Sequence, residues 1–565
     1  MELIMQKAVL SQIVEGLRSK TLTTCSKWAS ANVIMGKPFP GPLGYKFHPW
    51  TKDMMDSTAS FNSGQKSAQM GYSVTCLMWS LFGIAFHKES VMYLLPSKTP
   101  DATNFSATRF DPILEASPKI AAMFSDVKNV SIKRAGLATL YMMGANSRKG
   151  VKSSPTGRMV FDEYDEMPDD IVALAEHRQD GQKNKQMWRI STPRYPGFGI
   201  NVVYLESTQE HFFFPCPRCG KRIELGHDNL VVTAESIHDS EINNTYIKCL
   251  ECQGALTTPE DNDKNNVDAY AERKADLLKD GKWAVTGKQD PDHRGFYINQ
   301  LYSPTIRPVE LAKIQLQARV NKAKEQEYYN SSLGQAHEVE GARILDSQID
   351  ACQIKNLPRL DKSPSNTIIT MGVDVGTWLH YEICAWDIPA WTNDLNTYAK
   401  CRVIAEGKLL TVMGFTNLDE LMRQYQVNHC VIDANPEKTS SIAFAKRFWG
   451  FVNVCYYPNN MAGKTLTVDK QDGDFKISAD RTYWLDMALG RFKTGSIDLP
   501  RDLSLEYRGH VKAIFRVYKE DSHGQPIGMY LSKDDDHHAH ARNYAEIALP
   551  LAASRVRNSD VGAFL

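Results

Sequence analysis

Asp162 and Glu163 close the apolar run Met159-Val160-Phe161. Many P-loop ATPases end a core strand this way: the first carboxylate is placed to hold Mg²⁺ and the second to orient a water toward the γ-phosphate. A buried strand ending in two solvated acids has the same local pattern, so the pair is read with its neighbours. Upstream lies Lys66-Ser67-Ala68-Gln69-Met70-Gly71-Tyr72-Ser73. Gly71 and Ser73 fit the end of the phosphate-binding pattern G-x-x-x-x-G-K-[ST], while Tyr72 takes the usual lysine position and Lys66 that of the first glycine. A lysine at the start of the loop can reach phosphates from the other side. A polar loop capping a helix is the alternative, and the preceding Ser60-Phe61-Asn62-Ser63 is too polar to read as a clean core strand. Downstream, Trp188-Arg189-Ile190 is a short strand that ends in the hydroxyls Ser191 and Thr192. In helicase-like motors such a strand end senses the γ-phosphate and couples hydrolysis to motion.

Four thiols have metal spacing. Cys216-x-x-Cys219 and Cys249-x-x-Cys252 are each followed closely by a glycine, Gly220 and Gly254. Four thiolates so placed close a tetrahedron around Zn²⁺ with bonds of ~2.3 Å, and because protein fills every position the site is structural rather than catalytic.

A second pair of acids ends two further apolar runs. Asp374 follows Ile368-Ile-Thr-Met-Gly-Val373, and Tyr381 to Trp386 reads as the returning strand of a hairpin. Asp433 follows His429-Cys-Val-Ile432. Acids on neighbouring strand ends can share two Mg²⁺ or Mn²⁺ ions about 3.5–4 Å apart and so activate a water against a phosphodiester. An acid near the end of a first strand, beside a hairpin, is the opening of an RNase H-like nuclease. Either acid alone could be a solvated strand cap.

The elements that must position these groups follow from the pattern along the chain. Its 565 residues allow two to four domains at about 150 residues each; they are 42% hydrophobic and 23% charged, with zero formal net charge. That composition is ordinary for a globular protein and excludes a polycation, so any nucleic-acid contact must come from local basic patches. Lys183, Lys185, Arg189, Lys438, Lys533 and Arg542 are the candidates. No run reaches the ~18–20 apolar residues of a membrane span, and the N-terminus lacks a signal-peptide pattern, which implies an intracellular chain. Strands and helices alternate to about residue 210, a cysteine-bearing insertion occupies roughly 212–256, and one long amphipathic helix is expected over 309–328. The expected organisation is α/β: a P-loop, RecA/helicase-like parallel sheet in a domain over 1–345 with a zinc-ribbon insertion, a linker over 346–366, and an RNase H-like domain over 367–565.

Taken in order, these motifs resemble the large terminase subunit of tailed phages, in the lambda-like branch. The resemblance covers most of the chain. It is carried by Trp28-Ala29, Pro38 to Leu43, Pro49-Trp50, Lys66 to Gly71, Gly144 to Ser147, Asp162 to Asp165, Ser191 to Pro193, Pro215 to Gly220 and Tyr329 to Gly334. The lysine-first loop is a habit of that family. The resemblance implies a motor that uses ATP to drive double-stranded DNA into a procapsid and a metal-dependent endonuclease that cuts concatemeric DNA. It implies that Lys66, Gly71 and Ser73 meet phosphate or Mg²⁺, that Asp162 holds Mg²⁺, that Glu163 is the catalytic carboxylate and that Ser191-Thr192 couple hydrolysis to movement. Trp50 falls near the adenine-contacting segment, although a core aromatic fits there equally well. Arg109 and Arg134 are arginine-finger candidates; a finger acting in trans requires a homo-oligomeric ring, a pentamer when packaging.

The third nuclease ligand departs from the family pattern. An aspartate is expected four residues before the helix tyrosine, and counting back from Tyr544 gives His540. Either His540 supplies a nitrogen, which leans the site toward Mn²⁺, or Asp536 supplies the carboxylate. The implied partners are DNA, a small terminase subunit docking on residues 6–18 and the portal docking on residues 560–565. The implied location is the host cytoplasm, transiently on the procapsid. A helicase-like translocase whose C-terminal domain binds but does not cut DNA is the alternative.

Overall fold

The computed structural model describes residues 23–124, 129–152, 155–389, 395–469, 475–520 and 526–562. Residues 6–18, expected to meet a small subunit, lie outside the described residues, and no side chain is described over 560–565. The chain divides into two units, Met1–Glu338 and Val339–Leu565.

The first unit is organised by a ten-stranded mixed sheet. Its strands in chain order are β1 (Phe61–Lys66), β2 (Val91–Leu95), β3 (Ile132–Ala135), β4 (Ala138–Gly144), β5 (Arg158–Asp162), β6 (Gln186–Ser191), β7 (Glu210–Pro215), β8 (Arg222–Ile223), β9 (Lys282–Val285) and β10 (His293–Ile298). The spatial order is β8-β7-β10-β1-β6-β5-β2-β4-β3, with β9 also on β7. The run from β7 to β4 is parallel throughout, and antiparallel β3, β8 and β9 complete the sheet.

Strand β1 corrects the sequence reading. Its polar residues form a central strand, because side-chain hydrogen bonds satisfy them inside the sheet. Asn62 accepts from Ser57 at 2.6 Å and donates to the Ala59 carbonyl, while Gln65 donates to the Gly334 carbonyl at 3.0 Å. Gly64 is required by close approach: a Cβ there would stand 2.6 Å from the Tyr72 ring.

Helix α1 (Tyr72–Phe82) follows the loop after β1, and α2 (Val267–Leu278) follows the cysteine-bearing insertion. The single helix expected over 309–328 is two, α3 (Pro308–Ala318) and α4 (Lys322–Glu327). Asn321 breaks it by accepting the amides of Ala323 and Lys324, a side-chain cap that starts a new helix.

In the second unit, α5 (Asp346–Cys352) lies within the expected connector and buries Ile349 and Cys352 in that unit's core. An eight-stranded mixed sheet follows: β11 (Ile368–Val375), β12 (Trp378–Asp387), β13 (Lys400–Leu410), β14 (His429–Asp433), β15 (Val452–Tyr456), β16 (Leu466–Asp469), β17 (Lys476–Ala479) and β18 (Ile497–Asp498). They stand in the order β16-β17-β15-β14-β11-β12-β13-β18. Helices α6 (Arg481–Thr494), α7 (Leu505–Ala513) and α8 (His537–Gly562) complete the part that bears on the site. Helix α8 lies directly on β11: a Cβ on Gly372 would stand 2.0 Å from the Ala541 carbonyl oxygen. No helix among the described residues is long and apolar enough to cross a membrane.

Candidate functional site

Each unit gathers one constellation at the carboxyl ends of its parallel strands. In the first, Lys66 ends β1, Asp162 ends β5 and Ser191 ends β6. The Lys66 Nζ donates to Glu163 Oε1 at 2.6 Å. Burial alone would pull the Lys66 ammonium down, but Glu163 and Asp162 outweigh it and hold it above its ordinary value. Burial pushes the Asp162 carboxyl up against the pull of Lys66.

Tyr93 on β2 donates to Asp162 Oδ2 at 2.7 Å, and the Ser73 hydroxyl faces the same carboxylate. The other oxygen, Oδ1, is buried without a hydrogen-bond partner. An orphaned carboxylate oxygen beside a serine hydroxyl fits a hard divalent cation. Glu163 sits at φ 60°, a left-handed conformation unusual for glutamate, which turns its side chain out of the strand path toward Lys66.

The loop between β1 and α1 is pinned from several sides. Ser67 donates its amide to the Ile298 carbonyl, and Ala68 donates to the Ser331 carbonyl at 2.8 Å. Gln69 (φ 63°) and Gly71 (φ 82°) are both left-handed, and Gly71 takes that turn at no steric cost. The first amides of α1, from Tyr72 to Val74, have no partner inside the helix, which is an anion-binding arrangement.

The rings of two residues expected to touch nucleotide are placed otherwise. Tyr72 packs on Gly64 and hydrogen-bonds the Phe296 carbonyl, and Trp50 is fully buried with Nε1 donating to the Met70 carbonyl at 2.9 Å. Neither ring offers a free face; both support the loop from beneath.

Ser191 Oγ accepts the Asp165 amide at 3.2 Å and donates to the Thr192 carbonyl, which ties the β6 end to the Asp-Glu strand end. Asp165 accepts the amides of Ile200 (2.6 Å) and Arg194 (3.2 Å), yet burial pushes its carboxyl up to about 7. Arg109 and Arg134 are exposed. Arg134 lies on the edge strand β3, five strands from β1, or about 24 Å at ~4.8 Å per strand, so it cannot reach the phosphate loop of its own chain.

The thiols of Cys216, Cys219, Cys249 and Cys252 lie within 4.8 Å of one another. Each pair sits in a tight turn: Gly220 donates to the Cys216 carbonyl at 2.9 Å, and Cys249 donates to the Gly254 carbonyl at 2.9 Å. The cluster can hold a metal ion.

In the second unit, β11 and β14 run parallel in a register that pairs Val373 with Ile432, so Asp374 and Asp433 are adjacent at the next step. Burial, then the Asp374 charge, raises Asp433 to about 6, against the hydrogen bond from Tyr544 and the His540 charge. Of the two candidates for the third position, His540 faces Asp433, while Asp536 pairs with His540 Nε2 at 3.3 Å. Arg481 also approaches His540 Nε2, at 3.2 Å.

The groups of three ligand atoms within 4.8 Å among the described residues include Asp374–His380–His537 but not Asp374–Asp433–Asp536. His537 Nδ1 lies 2.8 Å from Asp374 Oδ2, and His380 stands directly opposite Asp374 across the β11–β12 ladder. Sequence reasoning missed His380, His510 and His538, since residues so far apart along the chain form no motif.

Arg542, expected on the DNA surface, is fully buried. It donates to Glu382 at 2.6 Å and also pairs with Glu546, which Arg491 holds from the other side. Arg189 is spoken for as well: it pairs with Glu176 and lies over the Phe61 and Tyr164 rings.

The chain belongs to the phage terminase large subunit gpA family. The family's ATPase domain matches residues 38–283 and its endonuclease domain matches residues 293–448. The large terminase subunit of Escherichia phage lambda is 22% identical over 355 residues, which cover 58% of this chain and 55% of that protein. The chain thus spans about half the length of the curated relative it matches. Among solved structures, the HK97 bacteriophage large terminase overlays 94% of this chain and 98% of its own at 9% identity, with a TM-score of 0.49. The large terminase of a thermophilic bacteriophage overlays 89% of this chain and 98% of its own at 12% identity, with a TM-score of 0.30.

Proposed function

We propose, with membership in the gpA terminase family as the premise, that this chain hydrolyses ATP to move double-stranded DNA into a procapsid and cuts that DNA with a separate centre. The observation that carries the reading is the adjacency of Asp374 and Asp433 on parallel strand ends, in a different unit from the Lys66–Glu163 pair. The working domains are an ATPase over 1–345 with a zinc ribbon on Cys216, Cys219, Cys249 and Cys252, a linker over 346–366, and an RNase H-like nuclease over 367–565. A divalent ion, bound by Asp162 with Ser73 or by Asp374 with Asp433, would neutralise phosphate charge and lower the pKa of a water.

The side chains divide the ATPase work. Before nucleotide arrives, Lys66 and Glu163 hold each other. A phosphate at the amides of Tyr72 to Val74 competes for Lys66, which swings to the phosphate oxygens. Glu163 is then released to orient the attacking water and take its proton. Ser191, through its bond to the Asp165 backbone, carries the rearrangement at that strand end toward Thr192 and the DNA-moving surface. An exposed arginine, Arg109 or Arg134, completes a neighbouring subunit's site in a ring.

In the nuclease centre, Asp433 and Asp374 would hold the divalent cations, which would supply charge neutralisation at a scissile phosphate. His540 next to Asp433 completes that corner with Asp536 behind it, and His537 orients Asp374. DNA, a small terminase subunit and the portal are the partners, in the host cytoplasm and transiently on the procapsid.

The test is supercoiled plasmid incubated with the purified chain and Mn²⁺, with ATP turnover measured in parallel. Nicking together with DNA-stimulated turnover is expected. Turnover without nicking would favour a helicase-like translocase whose second unit only binds DNA.

A further inference from the structure

We infer that His380, His510 and His538 form a binding site for one borderline first-row divalent cation of the Zn²⁺ or Co²⁺ class, distinct from the Asp374–Asp433 pair. The inference stands on the geometry of the second unit and does not rest on nuclease activity.

Three elements supply the ligands: His380 from β12, His510 from α7 and His538 from α8. One ring nitrogen of each lies within 4.8 Å of the other two. The ring centroids are 5.5 Å apart for His380 and His510, 4.9 Å for His380 and His538, and 5.3 Å for His510 and His538. A tetrahedral ion with Zn–N bonds of ~2.0–2.1 Å would bring the nitrogens to about 3.4 Å, a closure that imidazole rotations of a fraction of an ångström to an ångström supply.

The hydrogen bonding singles out the nitrogens that would bind. His380 and His538 are 3% and 1% exposed, and the Nδ1 of each is buried with no hydrogen-bond partner. The opposite edge of each ring faces a carboxylate: His380 Nε2 lies 3.5 Å from Glu506 Oε1, and His538 Nε2 lies 3.9 Å from Glu406 Oε2. The Glu506 carboxylate behind His380 favours the tautomer with Nε2 protonated and leaves Nδ1 with its lone pair free, as in carboxylate–histidine–zinc arrangements, while Glu406 acts on His538 only through its charge across 3.9 Å. His510 Nδ1 accepts the His538 amide at 3.3 Å, a long bond that either yields to the ion or leaves Nε2 as the ligand atom.

A cavity of about 840 Å³ borders the cluster and is lined by His380 and His510 together with Trp378, Lys408, Glu506 and His537. Three imidazoles suit zinc or cobalt, whereas the oxygen pair of Asp374 and Asp433 suits magnesium or manganese. His537 joins the two places: its ring stacks on His380 at 4.6 Å and 10°, and its Nδ1 meets Asp374. An ion at the histidines would therefore hold His380 and the stacked His537 against the Asp374 carboxylate.

The experiment uses the full chain, purified with zinc on its four cysteines, and titrates Co²⁺ by visible absorption and equilibrium dialysis. The expected result is one saturable Co²⁺ equivalent with d–d bands and no thiolate charge-transfer band. That equivalent should weaken at least tenfold in His380→Ala and in His510→Gln, and persist in Asp374→Asn. His510→Gln, at the cavity wall, serves if His380→Ala fails to fold by circular dichroism. Unchanged Co²⁺ affinity in a folded histidine variant would overturn the site. So would loss of the equivalent in Asp374→Asn with the histidine variants intact, since that would place the ion on the carboxylates.

Discussion

Lys66 and Glu163 belong to strand ends separated by β6, yet their charged atoms meet at 2.6 Å. In the proposed cycle this pair keeps Glu163 in reserve until phosphate draws Lys66 away. Glu163→Gln should keep nucleotide affinity within a few-fold and lower ATP turnover by about 10²–10⁴, the usual worth of a positioned acid–base group. Phosphate release alongside binding of a fluorescent ATP analogue measures both. Turnover near the parent's would remove Glu163 from catalysis.

The cysteine cluster should behave as a folding site. Zinc in comparable small modules is worth about 10–16 kcal/mol, so losing one thiolate leaves the insertion without its closure. Cys216→Ser and Cys249→Ser should each lose zinc by elemental analysis and become sensitive to limited proteolysis over 212–256. Equal zinc content in variant and parent would contradict the tetrathiolate.

Asp165 gives a pH signature. Its carboxyl is raised from 3.8 to about 7, so between those values the folded chain holds a proton that the unfolded chain has released. Stability from this group is therefore fully present below about pH 4 and is lost as pH rises to about 7, with a slope near 1.4 kcal/mol per pH unit. Unfolding free energies of the first unit, parent minus Asp165→Asn, should show that slope over this window and flatten above it. A difference that is constant from pH 4 to 8 would contradict the raised carboxyl.

Arg542 should matter to stability and not to DNA. Removing one member of a buried ion network strands its partner, here Glu382, at about 3–5 kcal/mol, and leaves Glu546 to Arg491 alone. Arg542→Met should lower the unfolding midpoint of the second unit in denaturant while DNA affinity of the folded fraction, and its salt slope, stay as in the parent. A reduced salt slope with unchanged stability would return Arg542 to the surface.

Much of this architecture is legible in the chain, because strand ends carry their chemistry next to an apolar run: Val373 before Asp374, Ile432 before Asp433, Phe161 before Asp162. What escapes is decided by tertiary contacts. Strand β1 reads as polar because its partners, Ser57 and Gly334, lie outside the window that a strand pattern inspects. The break at Asn321 hides inside an otherwise helical period, since a capping asparagine looks like one more polar position. Arg542 reads as a solvated cation because its neutralising glutamate, Glu382, comes from a distant strand. The histidine cluster is invisible for the same reason: β12, α7 and α8 bring its members together from far-separated parts of the sequence. Tyr72 and Trp50 fit the nucleotide pattern by position, but close packing against Gly64 and Met70 decides what their rings touch.

In the proposed function one centre uses ATP and another cuts DNA, each with its own residues. Assaying ATP turnover and Mn²⁺-dependent plasmid nicking side by side in Lys66→Ala and Asp374→Asn tests it most directly. Lys66→Ala is expected to lose turnover and keep nicking, while Asp374→Asn loses nicking and keeps turnover. Loss of both activities in each folded variant, or nicking that survives Asp374→Asn, would contradict it.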